Sequence, residues 1–277
     1  MPKLAANLSM MFQEVGFLDR FAAAAAAGFR GVEYLFPYEF PPFEIATRLQ
    51  RNRLTQALFN LPPGDWSKGE RGMAALPGRE DEFMAGLERA LDYALATGCT
   101  RLHAMAGNYP VEQGREEGTR VYVDNLQRAA DRLAGHGITL LIEPINTRDM
   151  PNYFLNTTSQ AMAVLKQVGR DNVKLQLDLY HCQIMEGDLA MHIRKLAGDY
   201  SHVQIAGVPD RHEPDLGEVD YDYLLGLFDE IGYGGWIGCE YRPAGETRSG
   251  LGWARRWGVE GTPPPNQAGA ANPPPPV

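Results

Sequence analysis

The chain has 277 residues, 44% of them hydrophobic, which is enough for the core of one large domain. Its 26 Lys and Arg residues against 35 Asp and Glu residues give a formal net charge of -9 without a clustered basic patch, so we expect no nucleic-acid partner. No apolar run has the composition of a signal peptide or the length of a membrane span, and the three cysteines lack C-x-x-C spacing. We therefore expect a cytoplasmic protein with no membrane partner.

Short apolar runs rich in β-branched residues alternate with longer runs of helical period along almost the whole chain. The pattern predicts eight strands, at Lys3–Leu8, Gly31–Leu35, Thr55–Phe59, Arg101–Met105, Thr139–Glu143, Val173–Asp178, His202–Ile205 and Trp236–Glu240. Helices are predicted between and after them, at Leu18–Ala27, Glu44–Arg51, Glu80–Thr97, Arg115–Ala134, Ser159–Val168, Leu189–Leu196, Tyr221–Ile231 and Leu251–Trp257. Eight such units favour an α/β protein with a single (β/α)₈ TIM barrel over an open sheet, and no G-x-G-x-x-G turn follows the first strand.

The composition changes after the last predicted helix. From Glu260 onward the chain is rich in Pro, Gly, Ala and Asn and ends in PPPPV, which offers too little apolar surface to offset the entropy of ordering. We expect one barrel domain over residues 1–258 and a disordered tail over residues 259–277.

Four predicted strands carry a polar side chain at or near their end. Three end in a carboxylate, and the seventh carries an amide near its end: Glu143, Asp178, Glu240 and Gln204. In a barrel of parallel strands, catalytic groups lie where strands end and loops begin. The four residues are 35, 26 and 36 positions apart in chain order, each close to one βα repeat. Successive strands would therefore aim all four at one point.

Three carboxylates that converge on a buried point repel one another and lose solvation, and a bound divalent cation can offset that cost. All four donors are oxygens if Gln204 binds through its carbonyl, and hard oxygen ligands favour Mg²⁺ or Mn²⁺ over zinc. For any one residue alone, capping a loop or pairing with an arginine is the favoured interpretation. Four at this spacing indicate a site for one divalent metal.

Four segments resemble the hydroxypyruvate isomerase family of xylose isomerase-like barrels: EPIN at 143–146, QLDLYHCQ at 176–183, HVQIAGVPDRHEPDLGEVDY at 202–221 and GCEYRP at 238–243. The resemblance runs from the first strand to about Trp257. It implies a metal bound by Glu143, Asp178, Gln204 and Glu240, with the two glutamates also acting as catalytic acid and base. Related ketose 3-epimerases usually carry a histidine at the position of Gln204, which disfavours epimerase activity.

Substrate-binding candidates surround this set. Arg211, His212 and Glu213 follow the seventh strand in a loop, where barrels commonly contact substrates, and Arg211 could clamp a substrate carboxylate. His181 lies three residues past Asp178 in the predicted loop and could bond a substrate oxygen. His103 ends the fourth strand and could face the same opening, although a buried core histidine is as plausible.

The resemblance implies a metal-dependent aldose-ketose type isomerase that interconverts hydroxypyruvate and tartronate semialdehyde, or a close acid such as 2-oxo-tetronate, through an enediolate. The expected partner is this small acid, and a homo-oligomer is possible. The alternatives are a ketose 3-epimerase or dehydratase of the same superfamily, or a non-catalytic barrel that binds sugar acids. An endonuclease IV-like enzyme would need several histidine ligands and a basic face, which the charge of -9 disfavours.

Overall fold

The structure is a computed structural model that describes residues 1–109 and 114–260. Eight parallel strands form a closed barrel in chain order: β1 Lys3–Asn7, β2 Gly31–Tyr34, β3 Thr55–Asn60, β4 Arg101–His103, β5 Thr139–Ile142, β6 Val173–Asp178, β7 Tyr200–Ile205 and β8 Trp236–Cys239. Pairing of β1 with β8, with Leu4 opposite Ile237, closes the ring. The predicted TIM barrel is confirmed, and the observed strand bounds lie within two residues of the predicted ones.

Helices surround the strands at α1 Phe17–Ala26, α2 Pro42–Asn52, α3 Glu80–Thr97, α4 Arg115–Ala134, α5 Thr158–Val168, α6 Leu179–Met185, α7 Leu189–Lys195 and α8 Tyr221–Glu230. Local sequence explains their ends. For example, the Thr157 hydroxyl accepts a bond from the Gln160 N–H at the start of α5, and Gly98 takes a left-handed conformation (φ 70°) at the end of α3. Among the described residues, no helix is both long and apolar enough to cross a membrane.

Two helical predictions need correction. The segment predicted as a last helix over Leu251–Trp257 is a 3₁₀-helix over Ser249–Trp257. Helix α6 was not predicted, because its seven residues are too few to show a helical period. It begins directly after Asp178, whose side chain accepts bonds from the backbone N–H groups of Tyr180 and His181.

Residues 259 and 260, just past the predicted domain boundary, contact the barrel. Val259 is buried, and the backbone N–H of Glu260 donates to the carbonyl of Ala27 at 2.8 Å. The chain passes close to Gly28, where an added Cβ would lie 3.0 Å from the carbonyl oxygen of Gly258. These two residues are therefore ordered against the barrel, while the rest of the predicted tail, 261–277, lies outside the described residues.

Candidate active site

A buried polar residue lies at or next to the carboxyl end of every strand. In chain order they are Asn7, Glu33, Asn60, His103, Glu143, Asp178, Gln204 and Glu240. Each is at most 5% exposed. A barrel interior is normally filled by branched apolar side chains, so a complete polar ring at this end of the strands is typical of an active site.

Three of the four predicted metal ligands meet in this ring. Glu143, Asp178 and Glu240 each offer a carboxylate oxygen, and together with one nitrogen of His181 these atoms all lie within 4.8 Å of one another. We call these four residues the acidic cluster. Its carboxylates come from the ends of three strands, as their one-repeat spacing predicted.

The fourth predicted ligand, Gln204, stands beside the cluster on β7. Its Cα pairs with that of Asp178 on β6 and with that of Gly238 on β8. Paired residues of neighbouring strands direct their side chains to the same face, so Gln204 and Asp178 both face the barrel interior. The Gln204 Oε1 accepts a bond from the Gln176 amide at 2.6 Å and retains a second lone pair.

Asp178 has a double role that its position at a strand–helix junction makes possible. One carboxylate oxygen, Oδ1, accepts from the N–H groups of Tyr180 at 2.7 Å and His181 at 3.3 Å and so caps α6. The other oxygen, Oδ2, is buried and has no hydrogen-bond partner among the described residues. The cap fixes the carboxylate while leaving one oxygen directed into the cluster.

The electrostatics of the cluster favour a cation. Burial and the charges of Glu240 and Asp178 raise the pKa of Glu143 well above its usual value. Burial also raises the pKa of Asp178, and it raises the pKa of Glu240 to about 8 even though Arg211 lowers it. Glu143 Oε1, like Asp178 Oδ2, lacks a hydrogen-bond partner in the described chain. Unpaired oxygens from repelling carboxylates fit a divalent metal ion.

Arg211 reaches the cluster from the loop after β7. Its guanidinium donates to Glu240 Oε2 at 2.7 Å and lies 3.6 Å from Asp178 Oδ2 and 3.7 Å from Asp149 Oδ2. Burial alone would lower the pKa of Arg211, but these carboxylates raise it, so the group stays charged. The guanidinium also stacks 4.8 Å from the ring centre of Tyr180, which helps to fix its plane.

His181 belongs to helix α6, which corrects its prediction as a loop residue. Its Nδ1 lies 2.6 Å from the Asn146 Nδ2, and the Asn146 Oδ1 is itself engaged by the N–H of Asp149 at 2.8 Å. That bond orients the Asn146 amide as the donor to His181 Nδ1, and this 2.6 Å contact outweighs the longer approach of Arg211 Nη2 to Nε2 at 3.4 Å, so we assign the ring proton to Nε2. Burial and Arg211 lower the pKa of His181 well below its usual value, which keeps the ring neutral.

The Nε2 of His181 faces Asp178 Oδ2 at 3.6 Å and Glu143 Oε1 at 3.9 Å. A nitrogen that carries a proton donates a hydrogen bond and does not ligate a metal. The nitrogen of the cluster is therefore suited to bond an oxygen of a bound molecule.

The other predicted substrate-binding residues have different surroundings. His103 Nδ1 lies 3.3 Å from Asn60 Oδ1 and 3.6 Å from Glu143 Oε2, so it adjoins the cluster. Burial, with a contribution from His202, lowers the pKa of His103 to about 3. His212 instead contacts the carbonyl of Arg242 at 2.7 Å, and Glu213 accepts from the N–H of Ala244 at 3.1 Å. Both contacts are with the segment after β8.

Five polar residues of the site were not predicted as site residues: Asn7, Glu33, Asn146, Asp149 and Gln176. Asn7 ends β1, and an asparagine at a strand end is equally well explained as a turn residue. Glu33 offered a clearer signal, because a carboxylate within the otherwise apolar GVEYL run has no structural reason to be buried. Asn146 contacts the His181 ring on α6 and Asp149 fixes Asn146, and these contacts depend on side-chain direction, which the sequence does not show.

Comparison with known proteins gives consistent matches over the whole barrel. A family model described as a xylose isomerase-like TIM barrel matches residues 21–257. A 2-oxo-tetronate isomerase from Cupriavidus necator is 57% identical over 255 residues, which cover 92% of this chain and 98% of that protein. A hydroxypyruvate isomerase from Escherichia coli is 45% identical over 253 residues, covering 91% and 98%.

Solved structures agree on the architecture. A crystal structure from Brucella melitensis, described as an AP endonuclease of family 2, has a TM-score of 0.91 and 55% identity, and covers 93% of this chain and 99% of that one. An L-ribulose 3-epimerase structure has a TM-score of 0.72 at 20% identity, covering 94% and 87%. At that identity the likeness to the epimerase extends to the fold alone.

Proposed function

The chain belongs to the xylose isomerase-like TIM barrel family, and on that premise we propose that it is a metal-dependent isomerase of small hydroxy-keto acids. The acidic cluster carries the proposal: three carboxylates, each at most 5% exposed, lie at the ends of three strands within reach of one ion. Glu143, Asp178 and Glu240 would hold the ion, with the Gln204 oxygen as a fourth ligand. Mg²⁺ or Mn²⁺ suits this oxygen donor set.

The reaction moves a carbonyl between neighbouring carbons. In hydroxypyruvate and in 2-oxo-tetronate the ketone at C2 becomes a hydroxyl, and the hydroxyl at C3 becomes a carbonyl. A proton leaves C3, an enediolate forms, and a proton returns to C2, while the proton of the C3 hydroxyl passes to the oxygen on C2. A divalent metal held by the acidic cluster would supply stabilisation of the negative charge that develops on the substrate.

Two carboxylates of the cluster suit the proton transfers. Glu143 and Glu240 extend from β5 and β8, which are separated by two strands on one side of the ring, so they approach a bound acid from different directions. One takes the proton from C3 while the other delivers a proton to C2. Their raised pKa values favour this work, because a carboxyl group that holds its proton more tightly than usual is a better base when ionised and can return the proton to carbon.

Arg211 and His181 would hold the substrate. The Arg211 guanidinium presents several donors beside the cluster, and a planar fork of this kind matches a substrate carboxylate. The Nε2–H of His181 would donate to a substrate oxygen near the metal. His103 adjoins Glu143 and could contact the same molecule, whereas His212 and Glu213 would act by shaping the loop that carries Arg211.

The identities favour a four-carbon acid over a three-carbon acid. The 2-oxo-tetronate isomerase is 57% identical and the hydroxypyruvate isomerase 45%. We therefore propose 2-oxo-tetronate as the preferred substrate and hydroxypyruvate as a slower one. DNA cleavage, suggested by the description of the Brucella structure, is disfavoured by the net charge of -9.

Proton NMR in D₂O tests the function. The purified protein with Mn²⁺ or Mg²⁺ is mixed separately with 2-oxo-tetronate, hydroxypyruvate and free ketoses, and deuterium uptake is followed at each carbon. We expect conversion of the acids with deuterium at C2 of the product. Epimerisation of a ketose without conversion of either acid would overturn the proposal.

A further inference from the structure

Glu33 is a buried carboxylate that the reaction scheme above leaves without a role. It lies on β2 and is 1% exposed. Its Oε1 accepts from the Gln204 amide at 2.8 Å and from the Asn7 amide at 3.0 Å, and its Oε2 lies 2.6 Å from the His202 Nε2. Burying a carboxylate costs several kcal/mol of solvation, so this arrangement of donors is expected to serve a purpose beyond filling the interior.

The first of these contacts decides which way the Gln204 amide points. The oxygen and nitrogen ends of an amide are nearly the same size, but only the oxygen can bind a cation. In the structure the nitrogen end donates to Glu33 and the oxygen end accepts from the Gln176 amide at 2.6 Å. A flipped amide would place two acceptors against each other at Glu33 and two donors against each other at Gln176.

The second contact connects Glu33 to the acidic cluster. The Asn7 Nδ2 donates one proton to Glu33 Oε1 at 3.0 Å and the other to Glu240 Oε1 at 3.2 Å. Asn7 and Glu33 are paired residues of neighbouring strands, so their side chains face the interior together. The Glu33 carboxylate thereby holds one oxygen of Glu240 in place through a single intervening amide.

A glycine on a nearby strand leaves room for this carboxylate. On β8, a Cβ added to Gly238 would lie 2.2 Å from Glu33 Oε2, so glycine there lets the carboxylate cross the interior to reach β7. The donors come from β1 and β7, the two strands that flank β8. Glu33 is thus fixed from several directions and in turn fixes two neighbours of the metal site.

We propose that Glu33 is a positioning residue: it holds the Gln204 amide with its oxygen free for the cation and, through Asn7, holds Glu240 in its ligand position. The inference rests on the proposed function, because it assumes a cation at the acidic cluster. Glu33 itself touches neither the metal nor the substrate in this scheme. Its effect should therefore appear in metal affinity as well as in turnover.

A double-mutant cycle on Mn²⁺ binding tests the inference. The dissociation constant of Mn²⁺ is measured by electron paramagnetic resonance of the free ion for wild type, Glu33→Gln, Gln204→Glu and the double variant. We expect Glu33→Gln to weaken Mn²⁺ binding at least 10-fold, as loss of groups that orient metal ligands does elsewhere. Glu70→Gln, an equal change in a partly buried glutamate that accepts from the Asp65 N–H and pairs with Arg79, serves as the control and should bind as wild type does.

The sign of the coupling distinguishes positioning from a general effect of charge. Gln204→Glu alone opposes two carboxylates and should gain little or no affinity. In the Glu33→Gln background the new carboxylate at position 204 receives a bond from the amide introduced at position 33. The double variant should therefore bind Mn²⁺ at least 10-fold more tightly than Glu33→Gln alone. An equal change in both backgrounds would overturn the inference, and so would a folded Glu33→Gln variant with wild-type affinity.

Two further measurements separate a positioning role from misfolding and from failure of the proposed function. Circular dichroism establishes folding, and if Glu33→Gln does not fold, Glu33→Asp retains the charge but withdraws the carboxylate from Gln204. We expect Glu33→Asp also to weaken Mn²⁺ binding at least 10-fold, and unchanged binding would contradict the positioning role. A wild-type protein that neither binds Mn²⁺ nor isomerises the acids would contradict the proposed function, an outcome separate from failure of the coupling.

Discussion

The buried acids of the acidic cluster differ from the acids that hold nearby loops. The difference is in what their carboxylate oxygens contact. Glu186 accepts from the backbone N–H and the hydroxyl of Thr158 at 2.6 and 2.7 Å, and Glu213 accepts from the N–H of Ala244 at 3.1 Å. By contrast, Glu143 Oε1 and Asp178 Oδ2 have no such donor in the part of the chain that the structure describes. Acids whose oxygens accept hydrogen bonds stabilise loops. Acids whose oxygens lack a donor and lie beside other acids are available to bind a cation.

The strongest test of this contrast removes the charge of one cluster acid. Glu143→Gln and Glu240→Gln should each lower kcat about 10³-fold or more, because each removes a proton carrier and a metal ligand. The amide is nearly the same size and ends the repulsion among buried carboxylates, so thermal unfolding in the absence of metal should occur at the wild-type temperature or above. Steady-state kinetics and calorimetry measure the two effects. Near wild-type turnover in both variants would contradict the assignment.

Arg211→Lys should have the next largest effect. The guanidinium reaches Glu240, Asp178 and Asp149 together, and lysine offers a single point of charge instead of a planar fork. We expect KM for 2-oxo-tetronate to rise about 10- to 100-fold, the loss of a bidentate charged contact of roughly 1.5–3 kcal/mol, with a smaller change in kcat. An unchanged KM would remove Arg211 from substrate binding.

The raised carboxyl pKa values predict an unusual pH dependence of stability. The pKa of Glu240 is about 8 in the folded chain against 4.5 as the ordinary value, so between these values the folded state binds more protons than the unfolded state. Without metal, the free energy of unfolding should therefore fall as pH rises from about 5 to 8. Urea unfolding with EDTA at several pH values measures this, and a rise in stability over the same range would be the opposite result.

Metal should remove much of that pH dependence. A cation that binds the ionised carboxylates competes with protons, so Mn²⁺ affinity should increase over the same pH range. Stability with saturating Mn²⁺ should then be nearly constant from about pH 6 to 8. Equal pH profiles with and without Mn²⁺ would indicate that no ion binds these acids.

The smallest effect is expected at a loop acid. Glu186→Gln exchanges a carboxylate for an amide where the backbone N–H of Thr158 begins α5, which should cost about 1–2 kcal/mol of stability. Turnover should stay within about two-fold of wild type, because Glu186 lies outside the reaction scheme. A fall in turnover as large as in Glu143→Gln and Glu240→Gln would contradict the distinction between acids that have hydrogen-bond donors and acids that lack them.

Sequence patterns predicted the architecture because alternation and repeat length are properties of the chain alone. The same spacing predicted that Glu143, Asp178 and Glu240 converge, since each ends a strand of one parallel barrel. Contacts that depend on side-chain direction were beyond reach. Nothing in the sequence shows that the Asn146 amide fixes the proton of His181 or that Glu33 crosses the barrel to Gln204, because repeat spacing predicts which strand ends meet and not which atoms bond there.

Where a bound ion lies is the most direct test of the account. Crystals soaked in Mn²⁺ should show one anomalous scattering peak at the carboxyl ends of β5, β6 and β8, with oxygens of Glu143, Asp178 and Glu240 about 2.0–2.5 Å from it. A peak at another place, or none at millimolar Mn²⁺ near pH 8, would contradict the claim that these acids share a cation.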